Sequence, residues 1–160
     1  MVRAGSLAVA RAFTEQPEEA TTTLQEALSL DPDNAQIYRY LSLVLSHEGK
    51  YEESLSMAKK ALSLKKKTPG LVPDTEFYLT LGLSHLMMEQ YEEAIVAFKK
   101  AIRISTEYVY AHIGLTTYFS MADRMEEARA EAAEVLRINP KITLEDIAKN
   151  GLSTPCERPV

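Results

Sequence analysis

Along most of this chain, apolar residues return at steps of three and four, the spacing that keeps them on one face of an α-helix. Tyr38, Leu41 and Leu45 make one such stripe, Tyr78, Leu81 and His85 a second, and His112, Leu115 and Phe119 a third. Sixteen residues beyond the head of each stripe stands a small residue: Ser54, Ala94 or Ala128. Each of these opens a further stripe, completed by Ala58 and Ala61, by Phe98 and Ala101, and by Ala132 and Val135. Ala20, Leu24 and Ala27 repeat that second pattern nearer the start. The pattern therefore predicts helices in pairs, with small residues where a neighbouring helix approaches closely.

Glutamate pairs give the pairs their register. Glu18-Glu19, Glu52-Glu53, Glu92-Glu93 and Glu126-Glu127 recur at intervals of 34, 40 and 34 residues. Thirty-four residues is the length of one helix-turn-helix unit in a stacked solenoid. Tyr51, Tyr91 and Met125 precede three of the pairs, Gly49 marks a helix end, and Pro32 and Pro140 turn the chain between units. The longer interval places six extra residues within 65–74, where Pro69, Gly70 and Pro73 oppose helix and Asp74 is positioned to cap the next one. Thr143 with Asp146 reads as another helix start, and Leu144, Ile147 and Ala148 give it a short apolar face ended by Gly151.

One domain follows from this register. Residues 1–34 form a degenerate N-terminal repeat, its first helix running from about Ala4 to Phe13, and 35–68 form a full unit. An inserted loop spans 69–74, further units span 75–108 and 109–142, a capping helix spans 143–151, and 152–160 is expected to be disordered.

Tyr78-x2-Leu81-Gly82-x2-His85, followed by Ala94-x3-Phe98, resembles the tetratricopeptide repeat pattern W-x2-L-G-x2-Y, A-x3-F. The resemblance covers about residues 15–141. Elsewhere it is looser: Ser42 and Thr116 stand for glycine, and Ala58 and Ala132 for the aromatic residue. It implies an all-α fold, a right-handed α-α superhelix of antiparallel helix pairs closed by the short C-terminal helix. It also implies that the first helices line a concave groove for an extended peptide or a partner helix.

That groove would be lined by Gln36, Arg39, Tyr40, Leu43 and His47 in one unit, by Glu76, Leu79, Thr80, Leu83, Leu86 and Met87 in the next, and by Tyr110, Ile113, Gly114, Thr117 and Met121 in the last. Most are apolar or aromatic. Of the lysine, arginine and asparagine clamp by which one branch of the family holds acidic chaperone tails, only Arg39 is matched; Leu43, Thr80, Tyr110 and Gly114 take the other places. The implied ligand is instead a largely apolar segment of another protein; the competing uses are self-association as a homodimer, burial by the chain's own ends, and closure of the groove by curling of a short solenoid. The stretch from Glu126 to Lys149 is similar to terminal repeats attached to bacterial nucleotide cyclases, which implies a regulatory segment of a bacterial signalling protein. A small client chaperone is a third reading.

Composition narrows the chemistry. A formal net charge of -5 argues against a nucleic-acid partner. No apolar run reaches the roughly 20 residues that span a bilayer. The start lacks a secretory pattern, and Cys156 has no disulfide partner, so a reducing, cytoplasmic setting is expected. The glutamate pairs sit where the positive end of a helix dipole favours them, with Lys59-Lys60, Lys99-Lys100, Arg103 and Arg137 toward the far ends. Lys59, Lys60, Lys65, Lys66 and Lys67 make the densest basic cluster, read as a solvated helix end. His47, His85 and His112 lack the spacing of a zinc helix, and no phosphate loop or nucleophile elbow occurs. No catalytic residue, metal or cofactor is expected.

Overall fold

The computed structural model describes residues 17–67, 73–143 and 145–147. Among these residues the chain forms helices α1 (Pro17–Leu30), α2 (Ala35–His47), α3 (Tyr51–Lys67), α4 (Asp74–Met87), α5 (Tyr91–Ile104), α6 (Val109–Met121) and α7 (Met125–Ile138) in turn. The expected helix from about Ala4 to Phe13, the middle of the inserted loop, the end of the capping helix and the tail lie outside the described residues.

Within each pair the turn is built the same way. Lys50, Gln90 and Arg124 donate their backbone N–H to the carbonyls of Leu45, His85 and Phe119 at 2.9, 2.9 and 2.8 Å. This six-residue closure requires a left-handed residue just after the helix. Gly49 (φ 76°) supplies it in the first pair, whereas Glu89 (φ 57°) and Asp123 (φ 55°) adopt it in the next two. The closing residue's own carbonyl then starts the second helix, accepting from Ser54, Ala94 and Ala128. Between pairs, Asn34 caps α2 by accepting from the N–H groups of Gln36 and Ile37.

Helices α2, α4 and α6 are the first members of the pairs, and each packs on its own second helix. Successive first helices also touch one another, while α3 and α5 reach the next pair mainly through its first helix. The stack therefore curves with α2, α4 and α6 on its inner side and α3, α5 and α7 outside.

The core runs along the stack in clusters. Ala20, Leu24, Ile37, Leu41 and Val44 join α1 to α2. Ala61, Leu62 and Phe77 join α3 to α4. The largest cluster surrounds Phe98, with Ala94, Ala101, Ala111 and Leu115. Ile113, Val135 and Ile147 close the C-terminal end. There Thr143 and Asp146 form a capping box: Asp146 accepts from the Thr143 N–H and hydroxyl at 2.9 and 2.7 Å, and Thr143 Oγ1 accepts from the Asp146 N–H at 3.1 Å.

Two local expectations change. Asp74 does not cap α4; Pro73 holds the cap position without a side-chain hydrogen bond. Asp74 instead pairs with Lys65 at 3.4 Å, across the insertion. Lys65 is accordingly buried, 5.9 Å from the Phe77 ring, and leaves the basic cluster on α3.

Candidate functional site

On α4 the stripe Tyr78, Leu81, His85 faces outward between the second helices, which leaves Leu79, Leu83 and Met87 on the inner side. These three are half-buried, as are Tyr40 and Leu43 on α2. Leu79 and Leu83 rest on the Phe98 cluster and Tyr40 on the cluster around Leu41, so their outer atoms make an apolar surface with a rigid backing. On α6, Tyr110 (59% exposed) and Met121 (44%) are also exposed, near its two ends. His47 is exposed at the far end of α2.

The remaining expected lining residues have other employment. Leu86, Ile113 and Thr117 are buried. Leu86 belongs to the Phe98 cluster. Ile113 is covered by Ile147, so the C-terminal turn closes the part of the groove that α6 was expected to open. Thr117 turns its hydroxyl back to the Ile113 carbonyl at 2.9 Å, and Thr80 does the same to Glu76 at 2.9 Å. Gly114 is occupied by packing: a Cβ there would lie 2.7 Å from the Phe98 ring. Nine successive residues of α6, Ala111 to Phe119, are buried, so the middle of α6 is enclosed all round.

A polar strut crosses the start of the groove. Arg39 Nη1 meets Glu76 Oε2 at 3.4 Å, and its Nε donates to Gln36 Oε1 at 2.9 Å. The guanidinium also lies over the Tyr40 ring, 4.7 Å from its centroid. The Tyr108 hydroxyl donates to the other Glu76 oxygen at 2.8 Å. The strut thus links α2, α4 and the residue leading into α6. Burial, followed by the hydrogen bond to the Glu76 carboxylate, raises the Tyr108 pKa, so it stays a neutral donor. Arg39 is 8% exposed and neutralised, which removes the one groove cation the sequence had offered to an acidic ligand. Tyr108 was missed by the sequence reading. Its register was legible, because it stands where Asn34 and Asp74 stand in the preceding units.

Histidines occupy structural positions. His85 Nδ1 and Gln90 Oε1 lie 2.7 Å apart, tying α4 to the start of α5. His112 Nδ1 is 2.6 Å from Glu131 Oε2, and its Nε2 is 3.2 Å from the Thr106 carbonyl. Both ring nitrogens therefore face acceptors, an arrangement only the protonated ring satisfies. The Glu131 hydrogen bond raises the His112 pKa against the opposing effect of burial, with further support from Thr106 and Glu134. Among the described residues no group of three or more His, Cys, Asp or Glu could hold a metal ion. No helix among them is long and apolar enough to cross a membrane.

Residues 33–107 and 5–34 each match the tetratricopeptide repeat family. The chain belongs to that family. Among curated proteins, this tetratricopeptide repeat chain is 24% identical over 146 residues to human Protein O-mannosyl-transferase TMTC1, covering 90% of the chain and 16% of that protein. It is 26% identical over 116 residues to Anaphase-promoting complex subunit 3 of Schizosaccharomyces pombe, covering 72% of the chain and 16% of that protein. The chain thus spans about a sixth of the length of the curated relatives it matches.

Among solved structures, MamA (residues 41 to the end) from Desulfovibrio magneticus RS-1 superposes with a TM-score of 0.69 at 21% identity, over 86% of this chain and 74% of that one. The APC/C hetero-tetramer Cut9-Hcn1 gives 0.79 at 20% identity, over 93% of this chain and 29% of that one. These likenesses fix the architecture as the all-α superhelix of antiparallel helix pairs. Tetratricopeptide repeats serve as protein-interaction scaffolds, and that general role applies here.

Proposed function

We propose that the chain is a non-enzymatic scaffold that holds an extended or helical, largely apolar segment of another protein on the inner face of the stack. The observation that carries this is the row Tyr40, Leu43, Leu79, Leu83 and Met87, half-exposed on two adjacent first helices. Contiguous apolar surface of this kind generally marks an interaction site, and methionine adapts to more than one ligand shape. The neutralised Arg39 favours apolar over acidic ligands and sets one polar edge. Two relatives named as parts of protein assemblies support a polypeptide partner.

Transferase chemistry is not part of the proposal, since the transferase relative is matched over only a sixth of its length. The His112–Glu131 pair bridges α6 and α7, with the backbone carbonyl of Thr106 on its other side. Affinity capture from an extract of the cells that make the protein tests the reading. Wild type should retain a partner that Leu83→Glu/Met87→Glu loses at unchanged helical content. Equal capture by both proteins would refute the groove.

A further inference from the structure

The outer surface of α3 and α5 carries a charge pattern that α7 lacks. In α5, Glu92 and Glu93 stand four and three residues before Val96, and Lys99 and Lys100 three and four after it. In α3, Glu52 and Glu53 stand in the same relation to Ser56, with Lys59 and Lys60 beyond it. All ten residues are exposed, Val96 by 52%. On α7 three ion pairs form within the helix and its cap, and Glu131 pairs with His112 of α6. Arg124 pairs with Glu127 at 2.6 Å, Arg129 with Glu126 at 2.9 Å and Arg137 with Glu134 at 2.8 Å. On α3 and α5 the glutamates and lysines are six to eight residues apart, about 9–12 Å along the axis. Among the described residues none of those eight charges forms an ion pair.

A sequence that reads acidic-neutral-basic about its own midpoint is complementary to itself when a second copy is laid antiparallel. Both helices have this property, and as second helices separated by one first helix they run in the same direction. A single two-fold axis crossing them at Ser56 and Val96 would satisfy both together. It sets Glu52 and Glu53 against Lys60 and Lys59 of the other copy, and Glu92 and Glu93 against its Lys100 and Lys99. The lysines are partly pre-placed: Lys60 lies 5.8 Å from the Tyr38 ring centroid and Lys100 5.7 Å from that of Tyr78. Between the helices a cleft of ≈ 370 Å³, floored by Tyr78, Leu81 and His85 and edged by Val96, lies on the same face.

We infer that a second copy of this chain docks on the α3–α5 face as an antiparallel, two-fold symmetric pair. The interface is isologous, so each charge is used twice and each Val96 meets its equivalent. The surface is separate from the inner groove, so the pair can form while both grooves stay open. Exposed ion pairs are screened by salt, with a Debye length of about 10 Å at 0.1 M, so association is strongest at low ionic strength.

Sedimentation of the full chain tests this. At low ionic strength the mass should rise with concentration toward twice 17.9 kDa and return to 17.9 kDa at high salt. Two charge variants sharpen the test. One carries Glu52→Lys, Glu53→Lys, Glu92→Lys and Glu93→Lys; the other carries Lys59→Glu, Lys60→Glu, Lys99→Glu and Lys100→Glu. Each alone should stay monomeric with native circular dichroism. Their mixture should form a heterodimer, and a chain with all eight reversals should pair with itself again. A wild type that stays monomeric at low salt would overturn the inference. So would variants that dimerise alone, a mixture that fails to pair, or a dimer abolished by Leu83→Glu/Met87→Glu and untouched by the charge changes.

Discussion

Where α2, α3 and α4 meet, the small side chains at the contact are Ser42, Ser54 and Ser84; where α4, α5 and α6 meet, Gly82 and Gly114 flank the Phe98 ring. At the first junction the three hydroxyl oxygens lie 3.1 to 3.2 Å from one another. Two of their protons are directed to backbone, Ser54 to the Ser42 carbonyl at 2.8 Å and Ser84 to the Thr80 carbonyl at 3.0 Å. Ser42 then supplies the proton within the triangle. At the second junction the ring is fully buried, and a Cβ on Gly82 would fall 2.5 Å from it. Both junctions hold the first helices that back the groove, one by matched polar groups and the other by a ring in a slot. The lesson is that close helix approach needs small residues, while what fills the remaining space can be chosen independently.

The largest effect should come from emptying the slot. Phe98→Ala removes the centre of the main cluster and should cost about 3–5 kcal/mol in urea unfolding. Filling the slot should cost less. Gly82→Ala or Gly114→Ala overpacks against a ring that cannot retreat, a cost of about 1–3 kcal/mol set against a helix-propensity gain of about 1 kcal/mol. In the Phe98→Ala background the same glycine changes should become stabilising, because the clash is gone and the propensity gain remains. An unchanged sign there would break the account of this junction.

The serine junction should behave differently. Ser54→Ala should cost about 1 kcal/mol, by leaving Ser42 with fewer partners. Replacing all three serines by alanine should cost less than the sum of the single changes, since the last removals take away groups already unpaired. Additive costs would mean the triangle is not a unit.

How much of this was legible beforehand follows from range. The helix pairs are written as local spacings, and the structure follows them closely. The Thr143–Asp146 cap was legible for the same reason. Contacts between residues far apart in sequence were not. Ser42 and Ser84 look like imperfect small residues until the stack brings them together. Lys65 reads as one of five lysines at a solvated helix end until Asp74 returns beside it. Tyr108, in the strut across the groove, carries no local signal of its partner Glu76. On α6 Ile113 is covered by Ile147 of the turn at 145–147; the apolar face that covers it was legible, but that it would fall on Ile113 was not.

The α6–α7 contact gives the smallest and most conditional effect. The His112 pKa is raised on folding, chiefly by Glu131, so protonated His112 stabilises the fold. That contribution is complete below the unfolded pKa of about 6.5 and is lost as pH rises through the higher folded value. Wild type should therefore lose urea resistance between about pH 6 and alkaline conditions, relative to His112→Gln, in which this component is absent. The two serine- and phenylalanine-lined junctions should show no such component. Parallel pH profiles for wild type and His112→Gln would exclude the imidazolium.

The central claim, that a partner lies along the inner face, is tested most directly by methyl NMR on the chain with a captured partner segment added. The account predicts that methyl signals of Leu43, Leu79, Leu83 and Met87 move and saturate together, while Val96 on the outer face stays in place. Movement of Val96 with the inner-face methyls unmoved would contradict it.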